Sequence, residues 1–584
     1  MKVNGAKILI DTLIDNGVDT IFGYPGGAVL DIYDELYKRK DRIRHILVSH
    51  EQHAAHAADG YARSSGKAGV CIATSGPGAT NLVTGIATAF VDSVPLIAIT
   101  GNVCIPHLGK DSFQEVDIAG ITMPVIKHNW IVDDVKNLPE IIKEAFIVAL
   151  SGRPGPVLID IPKDVIGAVC EYREERKEKR EQITEKREER REKREERREK
   201  REERTVSELR LTRLLERTKR KTYSDIDIEK TVKLIKNSEH PVIFAGGGVI
   251  RSDAGAEVKS LAELLNAPVA MSLMGMGAFA HDHPLCTGLT GMHGTAASNK
   301  AVQKCDLLIA LGARFSERVT GNNEKFAKNA KIIHIDIDPA EINKNVSADA
   351  FIIGDLKEVL NRLLKKLPEK IITGWGSEID EWKSIVPEAG NKKNSSGRQS
   401  LHPCYVIQET AKMSGENTVV VTDVGQHQIW TARYYPFKTM QKFISSGGMG
   451  TMGYGMGAAI GAKIANPAAH VVLFTGDGSF RMNSAEMATM VKYKLPVLII
   501  IFNNRSLGML RQWQNNMYKS RYHETDLENS GPDFVKLAAA YDVPGFRITD
   551  DESFMAALES AVKLLAKSKP VLIEALIDKD EKVV

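Results

Sequence analysis

The chain has 584 residues, of which 43% are apolar, 26% charged and 6% aromatic, usage that excludes a small module, a disordered tail and a collagen-like repeat. Its net charge of +3 is local: residues 171–222 hold 22 Lys and Arg against 16 Glu, or +6, leaving 3 − 6 = −3 over the other 532 residues, so no nucleic-acid partner is expected. With no run of 18 apolar residues, no membrane helix is expected, and six scattered cysteines without a CxxC pair read as free thiols of a cytoplasmic protein.

The first segment sets Ile8, Leu9, Leu13 and Ile14 against Asp11, Asp15 and Asp19, an amphipathic helix and neither a signal nor a transit peptide. The apolar run HILVSH leads to Glu51 in HEQHAAHAADGYAR. His50, His53 and His56 share a helical face, a rival metal reading, but HExxH needs histidine where Ala54 stands. GVCIAT then runs into TSGPGATN, where Gly76 and Gly78 permit a tight strand-to-helix turn and Thr80 or Asn81 can cap the helix. PLIAIT and PVLIDI follow as further strands.

Residues 171–204 carry 30 charges in 34, with KREERRE repeating from Lys186 and Lys193. The seven-residue period has no apolar seam, so the segment reads as an exposed frayed helix or disordered spacer supported by Glu–Arg neighbours. Beyond it, PVIFAGGG, CDLLIALGARF and KIIHIDIDP form a middle set of strands, and TVVVTDVG, HVVLFTGDGSF, PVLIIIFNN and PVLIEALI a last set. Short continuous apolar runs alternating with helix-length segments predict an α/β chain of three doubly wound parallel-sheet domains with a charged insert. The expected boundaries are 1–170, an insert over 171–225, a middle domain over 226–365, a polar linker over 366–400, and a last domain over 401–584.

Functional residues are expected just past the strands. After HVVLFT stand Gly476, Asp477 and Gly478, and a later strand ends in Asn503 and Asn504. One carboxylate and one amide oxygen at two strand ends can complete an octahedral Mg²⁺ that also holds diphosphate oxygens. In the middle set, Gly246, Gly247 and Gly248, Gly312 and the acidic Asp336 at a strand end suit a dinucleotide.

The strand–GDGS–helix–strand–NN arrangement resembles the thiamine diphosphate (ThDP) motif, and nearly the whole chain outside 171–222 resembles the catalytic subunits of acetohydroxyacid (acetolactate) synthases. The resemblance implies that Asp477, Asn504 and the Ser506 carbonyl hold Mg²⁺. It also implies that Val424, Gly425, Gln426, His427, Gly478 and Ser479 contact ThDP, that Met452 props it in its bent shape, and that Gly76 and Pro77 lie over its pyrimidine. Glu51 would share a proton with N1′ of that ring, a partly buried carboxyl suiting the task. Arg153, Gly246, Gly247, Gly248, Met292, His293, Gly312, Arg314, Arg318, Asp336, Ile337 and Asp355 resemble the FAD site of the family, where the flavin takes no redox part in the main reaction.

For the acceptor pocket the resemblance points to Phe113, Gln114, Lys163, Met509 and Trp513, with Gln114 and Lys163 catalytic. The alternative is that Phe113 and Trp513 are core aromatics and Lys163 a solvated charge. The implied reaction decarboxylates pyruvate and joins its two-carbon unit to a second pyruvate or to 2-ketobutyrate, giving 2-acetolactate or 2-aceto-2-hydroxybutyrate for branched-chain amino acid biosynthesis. A homodimer or tetramer with active sites between subunits, and a small regulatory subunit, are implied as partners. Asn102, Gly457 and Leu510 replace the usual Gln, Pro and Val, and the charged insert is the largest departure. Related readings are a pyruvate oxidase or decarboxylase of the same plan; a non-catalytic scaffold is the alternative of another class.

Overall fold

In a computed structural model, the structure is described for residues 2–171, 223–368, 374–385 and 401–583. The expected insert falls almost wholly outside these. Two compact units are present: described residues up to Ala58 and from Ala68 to Glu171 form one, and Asp59–Lys67 with those from Tyr223 onward form the other.

The first unit is built on β2 (Thr20–Gly23), β3 (Arg44–Leu47), β4 (Gly69–Ala73), β5 (Leu96–Asn102), β6 (His128–Ile131) and β7 (Pro156–Pro162). All neighbours pair parallel, in the order β3-β2-β4-β5-β7-β6. A short antiparallel ladder joins β1 (Lys2–Asn4) to β8 (Val169–Glu171). The amphipathic N-terminal segment is the helix Gly5–Asp15, which buries Ile8, Leu9 and Leu13. Both faces of the sheet are covered, so β4, β5 and β7 are buried at every residue, the property that made them legible as unbroken apolar runs.

The second unit holds two more parallel sheets. One comprises β9 (Pro241–Ala245), β10 (Val269–Met271), β11 (Cys286–Leu289), β12 (Leu307–Leu311), β13 (Lys331–Asp336) and β14 (Ala350–Ile353), in the order β11-β10-β9-β12-β13-β14. Counted within itself this is 3-2-1-4-5-6, the arrangement of dinucleotide-binding folds. The other comprises β15 (Thr418–Thr422), β16 (Phe443–Ile444), β17 (His470–Gly476), β18 (Val497–Asn503), β19 (Gly545–Ile548) and β20 (Val571–Leu576), in the order β16-β15-β17-β18-β20-β19. One apolar core runs continuously beneath both sheets, from Ile228 to Val583. The expected α/β class with three doubly wound sheets is therefore the observed one.

Helix Glu51–Ser65 forms because alanine at 54, 55, 57, 58 and 62 favours helix and leaves room for close neighbours. A Cβ on Gly85 would stand 2.3 Å from that of Ala55, and one on Gly69 would stand 2.0 Å from the Ala58 carbonyl oxygen. All six cysteines are free, with burial raising the Cys71 and Cys305 thiols to about 12.

Candidate active site

In the last sheet the chain passes from β15 to β16 on one side and to β17 on the other, and this switch point opens a crevice beyond the carboxyl ends. A cavity open to solvent occupies it. The sequence-named Val424, Gly425, Gln426, His427, Met452, Asp477, Gly478, Ser479, Asn504, Ser506 and Met509 all line it. The Ser506 N–H donates to Asn504 Oδ1 at 3.1 Å and also hydrogen-bonds the Asp477 carboxylate, so the three expected metal ligands converge. Ser479 Oγ donates to the Val424 carbonyl at 2.9 Å, and Asn504 Nδ2 donates to Gln426 Oε1 at 3.3 Å.

Burial pushes the Asp477 carboxyl up to about 7, against which the N–H groups of Gly478 and Ser506 and the charge of Arg481 only partly act. Carboxylate, amide and carbonyl oxygens form a hard donor set of the kind magnesium takes. His427 is wedged between glycines: a Cβ on Gly425 would lie 2.7 Å from its Cε1, and one on Gly476 would lie 2.9 Å from its Nδ1. Its Nε2 is buried without a hydrogen-bond partner, and burial pushes the ring down to about 3, so it stays neutral at working pH. That open polar demand at the wall of the cavity is the mark of a place shaped for a polar occupant.

Trp513 and Met509 lie on the helix Gly508–Met517, and the Arg318 guanidinium stands 5.3 Å from the Trp513 ring centroid. The short helix Glu317–Thr320 and the helix Gly508–Met517 thus meet through a cation–π contact. Arg318 also places Nη1 3.4 Å from Met292 Sδ and accepts the Met292 N–H at its carbonyl, at 2.8 Å.

At the switch point between β9 and β12, the Gly248 N–H donates to the Gly312 carbonyl at 3.0 Å, and a Cβ on Gly248 would lie 2.6 Å from the Gly312 Cα. Gly246 and Gly247 share that turn, and a Cβ on Gly246 would meet the Gly312 carbonyl at 2.2 Å. Arg314 is half-buried beside it. Asp336 ends β13 with its carboxyl raised by burial and takes the Asp338 N–H at 2.9 Å. Met292 and Ile337 are exposed and His293 is half-buried. Asp355 caps the helix Leu356–Lys366 by accepting the Glu358 N–H at 3.0 Å. Arg153 donates to Ser93 Oγ at 2.8 Å and packs over Phe90 in the first unit. These two residues therefore have local bonds that owe nothing to a cofactor.

In the first unit Glu51 occupies the first turn of its helix, where the dipole favours a carboxylate. Its Oε2 accepts from Asn81 Nδ2 at 3.0 Å, and a Cβ on Gly78 would approach its Oε1 to 3.3 Å. Gly76 adopts φ 60°, ψ −120° just before Pro77, and its missing Cβ would lie 2.9 Å from the Cα, Cβ and carbonyl oxygen of Gln114. Gln114 itself has φ 59°. The loop holding it is pinned by Glu115, which accepts the N–H groups of Ser112, Gly109 and Lys110 and is lowered by them. Phe113 is 88% exposed, which overturns its reading as a core aromatic; Trp513 is half-buried and Lys163 exposed.

Among the described residues no group of three or more His, Cys, Asp or Glu is arranged to hold a metal. The rings of His50, His53 and His56 instead follow one another at centroid distances of 5.7 and 6.4 Å.

Three family models match in order: thiamine pyrophosphate enzyme, N-terminal TPP binding domain, over residues 3–121; central domain, over 228–363; and C-terminal TPP binding domain, over 423–575. Acetolactate synthase large subunit of Pyropia yezoensis is 44% identical over 99% of this chain and 92% of its own length. The probable acetolactate synthase large subunit of Methanocaldococcus jannaschii is 46% identical over 99% and 93%, and acetolactate synthase large subunit of Buchnera aphidicola is 41% identical over 100% and 96%. The chain belongs to the acetolactate synthase large-subunit family. Within that family's three-domain plan, sequence reasoning missed two buried carboxylates at strand ends, Asp160 and Asp423. Both were visible as an acid inside an apolar run, in VLIDIP and VVVTDVG.

Proposed function

We propose that this chain makes acetolactate: it decarboxylates pyruvate and joins the two-carbon unit to pyruvate or 2-ketobutyrate. The observation carrying the reading is the cavity that gathers Asp477, Asn504 and Ser506 around one point with His427 and Met452 on its walls. Thiamine diphosphate, when bound, supplies the electron sink that lets a 2-keto acid lose carbon dioxide. In this reading Asp477, Asn504 Oδ1 and the Ser506 carbonyl hold Mg²⁺, and Val424–His427 with Gly478 and Ser479 receive the diphosphate. Met452 supports the cofactor from its apolar side. Glu51, steadied by Asn81, exchanges a proton with the pyrimidine through its carboxylate, and Gly76 keeps Gln114 against the turn.

In this reading Phe113, Gln114 and Lys163 of the first unit and Met509 and Trp513 of the second each act on the acceptor, the indole supplying an apolar wall able to favour one more methylene by about 1–3 kcal/mol. The glycine turns at 246–248 and 312, with Arg314, Arg318, Asp336 and their neighbours, receive FAD; the 3-2-1-4-5-6 strand order supports this. We further propose a homodimer or tetramer in the cytoplasm, with sites shared between copies, and a small regulatory partner, which the relatives' name "large subunit" supports. Among the described residues no helix is long and apolar enough to cross a membrane.

The test is pyruvate consumption by the purified protein with ThDP, Mg²⁺ and FAD, with and without 2-ketobutyrate. Acetolactate, displaced by 2-aceto-2-hydroxybutyrate when both acids are present, is the expected product. Acetaldehyde, acetyl phosphate or no turnover refutes the reading.

A further inference from the structure

The two oxygens of Asp423 are completely buried and receive four donors. Oδ1 accepts the N–H of Val424 at 2.8 Å and of Gly453 at 2.9 Å; Oδ2 accepts the N–H of Gly455 at 2.9 Å and Asn483 Nδ2 at 3.1 Å. These donors come from three segments that are far apart in the chain. Val424 opens the stretch to His427, Gly453 and Gly455 follow directly on Met452, and Asn483 ends the helix that begins at Asp477. Every partner is a donor, so these four contacts favour the ionised carboxylate, acting against the burial that raises the carboxyl. The surroundings leave no slack: Gly453 has φ 86°, and a Cβ on Gly455 would stand 3.0 Å from Asp423 Oδ2. Asn483 itself is buried with Oδ1 unpartnered, and its Nδ2 anchors it to Asp423.

We infer that Asp423 is the positioning residue of the diphosphate cavity: one buried carboxylate fixes the Val424–His427 wall, the Met452 turn and the Asp477 helix at their mutual spacing. The inference rests on the reading of that cavity as the ThDP site, and Asp423 touches no proposed cofactor atom.

The test uses Asp423→Asn, which keeps the shape but aims an NH₂ at a donor. ThDP is titrated into the Mg²⁺-saturated full-length protein by quenching of Trp430, which lines the cavity. The expected result is a rise in ThDP half-saturation of at least about tenfold, the scale of losing charge-assisted hydrogen bonds, together with a lower kcat at saturating ThDP because Met452 is displaced. The comparison variant is Asp306→Asn, whose carboxylate also gathers donors, from Ser238 Oγ and the N–H groups of Glu239 and His240, at the opposite, amino end of β12. It should lower the unfolding temperature and leave ThDP half-saturation unchanged. Should Asp423→Asn fail to fold, Asn483→Ala removes one donor only and is expected to raise ThDP half-saturation by about three- to tenfold. ThDP half-saturation within about threefold of the unmodified protein in the folded variant overturns the inference. A chain with no ThDP response before any substitution overturns the cofactor reading instead, so the two failures are distinct.

Discussion

Gly76→Ala puts the proposed role of Gln114 to a quantitative test. The backbone at φ 60°, ψ −120° is open to glycine and costs another residue roughly 1–3 kcal/mol. The added methyl also lies 2.9 Å from three atoms of Gln114, closer than van der Waals contact allows, so the 112–115 loop must move. At about 2–4 °C per kcal/mol for a unit of this size, strain alone lowers the unfolding temperature by roughly 2–12 °C. Displacing Gln114 by about 1 Å costs on the order of 100-fold in kcat/KM. Gly17→Ala separates the two effects, because Gly17 has φ 83° with nothing within 4 Å of the new Cβ. It should lose stability on a similar scale and keep its activity. Both variants are followed by thermal unfolding and by pyruvate consumption. A kcat/KM for Gly76→Ala within about threefold of Gly17→Ala refutes the argument that this glycine exists to seat Gln114.

Asp477 gives a pH signature to the metal-free protein: its folded carboxyl is raised to about 7 from an ordinary 3.8, so the folded chain holds a proton that the unfolded chain releases between these values. Stability contributed by that proton is present below the unfolded pKa and is lost as pH rises toward about 7. Mg²⁺ should restore it at higher pH, and Asp477→Asn should flatten the profile; thermal unfolding across pH with and without Mg²⁺ checks both. Trp513→Leu is expected to reduce the preference for 2-ketobutyrate over pyruvate by about 10- to 200-fold, read from the product ratio in mixed-substrate assays. Phe113→Ala removes an exposed ring and should change thermal stability by no more than about 0.5 kcal/mol while reducing acetolactate output; a large stability loss would return Phe113 to a structural role. His427→Gln removes a ring that burial holds neutral down to about 3. The folding stability tied to that neutrality is present above the unfolded value of about 6.5 and is lost as pH falls below it, so the variant should lose this part of the acid sensitivity.

How much of the fold could be read from the sequence depended on where a strand sits in its sheet. β4, β17 and β18 lie inside sheets with apolar cover on both sides and announce themselves as GVCIA, HVVLFTG and VLIIIFN. Three edge strands carry no such signal: β6 is the half-exposed HNWI, β19 is GFRI, and β16 is two residues long. Solvent on one side dilutes the apolar pattern, and brevity removes what remains. In the site, glycine turns after strands were legible because their chemistry is local. Asp355 shows the opposite limit, since an Asp followed three residues later by Glu358 is also a helix-capping pattern, and capping is the bond it makes.

Three buried carboxylates at or near strand ends show why the sequence marks the proposed metal site more clearly than a positioning residue. Burying a carboxylate costs several kcal/mol unless donors or a cation replace its water. Asp160 takes the Thr100 hydroxyl and the Asn102 amide, each at 2.6 Å, and Asp423 takes four donors. Apart from the Val424 N–H, those donors come from distant parts of the chain, so little adjacent to either acid advertises its bonds. Asp477 has the N–H groups of Gly478 and Ser506 near it, and burial raises its carboxyl to about 7, as burial also raises those of Asp160 and Asp423. Its neighbours along the chain are the glycines that leave it accessible to the cavity, and the oxygen of Asn504 completes the same wall. In the function proposed above, the remaining partner of Asp477 is a cation from outside the chain, for which the oxygen donors around it are the hard kind that magnesium takes.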